Sequence, residues 1–184
     1  DTPNTLSDIR QISGWVNYTY ALKNDGTLVG WGNNYQGVLS TPPNLSGVSQ
    51  IESGYHMYAL KGDGTLVGWG ANSQGQCNTP ADLSAVVQVA CGEEHTYARK
   101  SDGTLLGWGS NGAGECNTPS NLVGVRQVDC GGYFTYALKN DGTLVGWGRD
   151  QFSQTTTPAG LAGIAQIACG FEFSYALSSA GTLS

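Results

Sequence analysis

Cysteine carries the clearest chemical spacing in this chain. Cys77 and Cys91 lie 14 residues apart, and Cys116 and Cys130 repeat that separation. Where Leu39 and Thr155 stand in place of the first cysteine, the second position holds Ser53 and Cys169. Thiols paired at a fixed interval form disulfides in an oxidising compartment. The spacing therefore favours Cys77–Cys91 and Cys116–Cys130, with Cys169 left over. The other reading is that small thiols fill tight strand positions. No Cys-x-x-Cys pair is present, so a structural zinc site is not indicated. His56 and His95 have the right chemistry for a metal ligand or a general base. Yet they occupy one column with Tyr18, Phe134 and Phe173, and a place that accepts phenylalanine reads as a ring packed between structural units. Asp25, Asp63, Asp102 and Asp141 each precede a glycine and read as turn residues. No nucleophile elbow, zincin helix, Walker loop or calcium loop occurs. The expectation is a non-enzymatic chain without a metal or cofactor.

The elements that would position these residues are repeated. YALKNDGTLVGWG begins at Tyr20 and returns, nearly unchanged, at Tyr58, Tyr97 and Tyr136. Trp31, Trp69, Trp108 and Trp147 are spaced 38, 39 and 39 residues apart. The prolines Pro3, Pro42, Pro80, Pro119 and Pro158 are spaced 39, 38, 39 and 39. A period of this size denotes a solenoid, an array or a propeller. Each unit reads as short strands broken by glycine and proline, with no helical periodicity. Asp-Gly marks a hairpin turn between two strands, because glycine adopts positive φ at little cost. In TLVGWG the two-residue strand period sets Leu144, Gly146 and Gly148 on one face and Val145 and Trp147 on the other. The glycines leave room for a bulky neighbour. Each unit is too small to bury both its faces, so copies must stack.

The chain reads as one domain, 1–184, with repeats at about 1–39, 40–77, 78–116, 117–155 and 156–184. Four are complete and the fifth stops at Gly-Thr-Leu-Ser, while Asp1 to Ser7 reads as linker. The ring is then open or incomplete, to be completed by further repeats or by self-association. Net charge is −6, and the eight Lys and Arg are dispersed. That leaves no electropositive track for nucleic acid. No apolar run approaches the roughly 20 residues of a membrane span.

The order of Gly-x-x-His-x-x-Ala, Asp-Gly-x-Leu-x-x-Trp-Gly and Asn-x-x-Gly-Gln, as in GEEHTYARKSDGTLLGWGSNGAGE and GYHMYALKGDGTLVGWGANSQGQ, resembles the RCC1 (regulator of chromosome condensation 1) repeat. The resemblance implies an all-β propeller of four-stranded blades, usually seven. The short period and the Thr-Pro linker are similar to bacterial secreted members, including the propeller that inhibits β-lactamases. Fold alone does not assign function. Members serve as exchange factors, chromatin binders, inhibitors and surface recognition domains.

Variation between repeats points to the loops, since scaffold positions are fixed by packing. One loop set supplies Trp15, Tyr55, Glu93, Glu94, Tyr133, Phe171 and Glu172; a second supplies Tyr35 and Phe152. Aromatic residues are favoured interface anchors. The expected function is recognition of a protein or glycan, in an extracellular or cell-surface setting. The alternatives are a secreted enzyme inhibitor and a structural subunit of a surface assembly.

Overall fold

The computed structural model describes residues 6–184; the start of the Asp1–Ser7 linker, including Pro3, lies outside the described residues. Five antiparallel sheets follow one another along the chain. The first holds β1 (Ile9–Trp15), β2 (Tyr18–Lys23) and β3 (Leu28–Gly32); the second β4 (Val48–Ser53), β5 (His56–Lys61) and β6 (Leu66–Gly70). The third holds β7 (Val86–Cys91), β8 (His95–Lys100) and β9 (Leu105–Gly109); the fourth β10 (Val125–Cys130), β11 (Phe134–Lys139) and β12 (Leu144–Gly148). The fifth pairs β13 (Ile164–Cys169) with β14 (Ser174–Ser178). The chain is thus all-β, with one short 3-10 turn at Tyr35–Gly37.

Local chemistry explains each sheet. The Asp-Gly turns form as the sequence predicts: Gly103 has φ of +82°, and Asp102 Oδ1 accepts from Thr104 N and Oγ1 at 2.9 and 2.6 Å. In the strand after the turn, glycine admits the tyrosine opposite. A Cβ on Gly107 would lie 2.5 Å from the Tyr97 ring, its cross-strand partner. The tyrosine hydroxyl then reaches the Thr-Pro linker, as in Tyr97 Oη to Thr118 Oγ1 at 2.9 Å.

The complete blades have three strands rather than the four that the resemblance implies. After β6 the chain turns back on itself: Asn72 Oδ1 accepts Cys77 N at 2.9 Å, Asn78 N bonds Gly75 O at 2.9 Å, and Gly75 has φ of +77°. Backbone donors spent on turns, followed by a proline that has none, leave no edge for a fourth ladder.

Blades are joined by a device that recurs along the whole array. Gln50, Gln88 and Gln127 each reach the first strand of the next blade and bond both polar groups of one residue. Gln88 Nε2 donates to Val128 O at 2.9 Å while its Oε1 accepts Val128 N at 3.1 Å. Gln11 with Ile51, Gln50 with Val89 and Gln127 with Ile167 are equivalent. A bulge one residue earlier in each first strand, between Val86 and Gln88 for example, shifts the register beside this glutamine. Apolar clusters also straddle the seams. Tyr58 and Leu60 of the second blade pack with Val86, Val89 and Trp108 of the third. Trp108 Nε1 donates to Gln76 O at 3.0 Å and its ring meets Tyr58 edge to face.

Trp69, Trp108 and Trp147 are equivalent and buried, but Trp31 is only half-buried. The described residues put no blade in front of it. The same holds for Ile12, 64 % exposed where its counterparts Ile51, Val89 and Val128 are at 0 %. At the other end Gln166, Phe173 and Tyr175 are exposed. Gln88→Ala is expected to cost about 2 kcal/mol, because it orphans two buried backbone groups. Gln166→Ala should stay within about 0.5 kcal/mol, since among the described residues its exposed side chain meets no further blade. Urea denaturation of the two variants checks the difference.

Candidate recognition face

Both loop sets lie at the same end of the array. In an antiparallel sheet the first strand ends, the second begins and the third ends on one side, and hydrogen bonds tie the resulting loops together. Asn33 N bonds Asn17 O at 2.8 Å, Ala71 N bonds Tyr55 O at 3.2 Å, Ser110 N bonds Glu94 O at 2.8 Å and Arg149 N bonds Tyr133 O at 2.9 Å. The Asp-Gly turns occupy the opposite end. A lateral ladder also runs from blade to blade: Tyr55 N to Glu93 O at 3.1 Å, Glu93 N to Gly132 O at 3.2 Å, Gly132 N to Phe171 O at 2.9 Å. Loops bonded in both directions hold their side chains in fixed places.

On this frame the loop residues converge. Phe171 of the fifth blade meets Trp15 of the first at 6.2 Å and Tyr133 of the fourth at 6.0 Å, both edge to face. Gly132 makes the approach possible, since a Cβ there would lie 2.7 Å from Phe171 O and 3.0 Å from its ring. Glu93 is buried, at 5 % exposure, beside two phenols. Its carboxylate is the main cause that raises Tyr55 and pushes Tyr133 up to about 12. Glu94 is half-buried and raised by desolvation first, then by Glu93 and Glu115. The Arg149 guanidinium lies 5.5 Å from the Tyr133 ring and 5.9 Å from that of Phe152. Tyr35, 65 % exposed, shares a shallow pocket with Trp15 and Tyr55. Phe152, 64 % exposed, and Glu172 line a cleft against the fifth blade together with Phe173 and Tyr175. The face therefore has an aromatic and acidic centre and an exposed aromatic rim.

The other chemistry-bearing residues serve the seams. His56 Nε2 meets Thr96 Oγ1 of the next blade at 2.6 Å, and His95 Nε2 meets Thr135 Oγ1 at 3.0 Å. Burial holds both imidazoles down at about 3, hence neutral. Tyr18 in the same column donates to Gly54 O at 2.8 Å. All five cysteines are free thiols. The expected bonds Cys77–Cys91 and Cys116–Cys130 are absent from the structure: Cys77 Sγ donates to Ala71 O and Cys116 Sγ to Ser110 O, each at 3.2 Å. Cys91 and Cys130 are buried, and desolvation raises both thiols.

Some working residues escape a reading of the sequence. The glutamine column is one. Gln76, Glu115 and Gln154 form another: their side chains close their own loops, as in Glu115 Oε2 accepting Ala113 N at 2.7 Å. The carbonyls of Gln76 and Glu115 receive Trp108 and Trp147 of the next blade. Gln76 and Glu115 end the Asn-x-x-Gly-Gln stretch of the repeat, and Gln154 takes the same place after Ser153, but nothing in the motif tells that the side chain turns back on its own loop.

Glu52 and Asp129, on first strands, are pushed up to about 8 and about 6, in each case chiefly by desolvation. Asp129 adds repulsion at Glu52. Between the ordinary 4.5 of Glu52 and about 8, the folded chain keeps a proton that the unfolded chain has released. Stability must then fall as pH rises through that window. Glu52→Gln, which retains the acceptor for Gln50 Nε2, is expected to add about 2 kcal/mol at pH 8 and little at pH 5. Thermal midpoints at the two pH values check this.

The regulator of chromosome condensation (RCC1) repeat matches residues 50–76, 86–115 and 125–154. No curated protein sequence shows significant similarity to the chain. Among solved structures, Prp20p from Saccharomyces cerevisiae superimposes with a TM-score of 0.80 at 20 % identity, over 94 % of this chain and 57 % of its own. The ectodomain of the Physcomitrella patens receptor kinase CR4 gives 0.78 at 18 % identity, over 97 % and 53 %. Human WBSCR16 gives 0.78 at 19 % identity, over 97 % and 60 %. The chain thus spans a little over half the length of each, and at this identity the likeness is one of fold. Three consecutive RCC1 repeats are thus present in this chain, on blades that share the fold of those propellers.

Proposed function

We propose that the chain is a non-enzymatic protein-recognition module, binding its partner through the end that carries the loops. The observation that carries this reading is the edge-to-face cluster of Trp15, Phe171 and Tyr133, with Glu93 beside Tyr133 and Tyr55, on loops that are bonded within and between blades. The repeat itself does not require these side chains, since the equivalent loop positions differ from blade to blade. Fixed aromatics bind with little ordering cost, which is what a recognition surface needs. Protein partners suit the fold as well: the solved structures of Prp20p concern its binding to Gsp1p and histones and its complex with Kap60. A protein fits better than a glycan because edge-to-face packing among Trp15, Phe171 and Tyr133 engages ring surfaces that a sugar would stack on.

A photo-crosslinking residue placed at Tyr35 or Phe152, both exposed at the rim, is expected to trap the partner in native extract. The same residue at Asp102, on the opposite end, should trap nothing. Crosslinks from Asp102 alone would overturn the assignment of the face.

Self-association is a second reading, favoured by the exposed seam residues of the two end blades. Gln166, Phe173 and Tyr175 present one half of the seam and Ile12 with Trp31 the other, and such a head-to-tail contact closes into a ring or propagates. Sedimentation of Tyr175→Arg against the parent chain tests it: loss of an oligomer supports the reading, and a monomeric parent rejects it.

A further inference from the structure

We propose that Glu93 and the aromatic side chains around it form a pocket for a single cationic group, the ammonium or guanidinium of a partner's lysine or arginine. This rests on the loop end being the recognition face and adds the chemistry of the ligand.

Glu93 is 5 % exposed, and its Oε2 is closed off from solvent without a hydrogen-bond partner. A buried carboxylate oxygen left without a donor is costly. The loop has no freedom to relieve it, because Glu93 N is bonded to Gly132 O at 3.2 Å and Glu93 O to Tyr55 N at 3.1 Å. Among the described residues the ion pairs are those of Lys61, Lys100 and Lys139 with their turn aspartates, so Glu93 has no internal cation. The surroundings are those a cation prefers. The phenol hydroxyls of Tyr55 and Tyr133 lie within hydrogen-bonding reach of the carboxylate, which leaves Oε2 as its unpartnered oxygen, and aromatic rings this close attract ammonium and guanidinium groups. The Tyr133 ring already holds the chain's own Arg149 guanidinium at 5.5 Å, and that group hydrogen-bonds Gln151 rather than Glu93. Glu94 adds a second acid beside the first. Trp15 Nε1 is likewise buried without an acceptor, and its ring packs on Phe171, which packs in turn on Tyr133.

The test is a titration of the full chain, uniformly labelled with nitrogen-15, with n-butylammonium chloride. Neopentanol serves as a neutral control and sodium chloride matches the ionic strength. The readout is the Trp15 indole N–H resonance, assigned by Trp15→Phe. A saturable shift with Kd of about 10 mM or tighter is expected for the ammonium alone. Glu93→Gln should weaken it at least tenfold while the other four indole resonances stay in place, reporting an intact fold. Equal titration by Glu93→Gln, an equal response to neopentanol, or no saturable shift for the parent chain would each overturn the proposal. The probe is free of any partner protein. Should it fail while Tyr35 and Phe152 still crosslink to a partner, the cation pocket is wrong and the recognition face stands.

Discussion

Replacing Trp108 by alanine is expected to cost about 4 kcal/mol of folding stability. The side chain is buried at the seam between the second and third blades, where it packs with Tyr58, Leu60, Val86 and Val89. Truncation removes that contact area, leaves a cavity that two rigid sheets cannot collapse, and strips a donor from Gln76 O at 3.0 Å and Tyr58 Oη at 3.3 Å. Trp31 occupies the same place in the repeat but is half-buried. Its alanine variant should therefore cost less than about 2 kcal/mol. Urea denaturation of both variants decides the matter, and equal losses would mean that the seams are not what holds the array together.

Gly92→Ala is expected to be at least as damaging, at about 3 kcal/mol or more, from overpacking rather than from a void. A Cβ there would lie 2.2 Å from the His95 ring and 2.6 Å from Gly131 O of the next blade. The ring is held by Thr135 and the carbonyl belongs to a neighbouring sheet, so neither can give way without opening the seam. Gly112 supplies the control, with nothing within 4 Å of the added atom, and its alanine variant should stay within about 0.5 kcal/mol. Thermal midpoints that coincide for the two variants would contradict the account of how blades approach one another.

Much of this frame could be read before any coordinates. The spacing of the tryptophans gives the repeat length and marks the four complete blades, and Asp-Gly gives the hairpins, because a tight turn is a local rule acting on adjacent residues. What lies across a seam is harder to read. Gln88 looks like an ordinary polar strand residue until Val128, 40 positions away, is set beside it. The three-strand blade was hidden for a similar reason: whether a fourth strand forms depends on Asn72 capturing the donors of its own loop. The cysteines show the opposite error. In a repeat, any two columns recur at a fixed separation, so the shared 14-residue interval of Cys77–Cys91 and Cys116–Cys130 follows from the period without any bond between them. The site divides in the same way. Its aromatics stood out as the variable letters among fixed ones, whereas the placing of both loop sets on one end emerges only from the observed strand order and the bonds between loops. The burial of Glu93 was not legible, since a glutamate between a glycine and another glutamate reads as exposed.

The central claim is that the loop end binds while the seams support. The most direct measurement takes Tyr133→Ala, with the partner trapped by crosslinking at the rim, and determines Kd and the urea midpoint on the same preparation. Loss of an interface aromatic of this kind costs about 2 kcal/mol, or roughly thirtyfold in Kd. The account predicts that weakening together with a stability change below about 1 kcal/mol. An unchanged Kd in a folded Tyr133→Ala chain would contradict it.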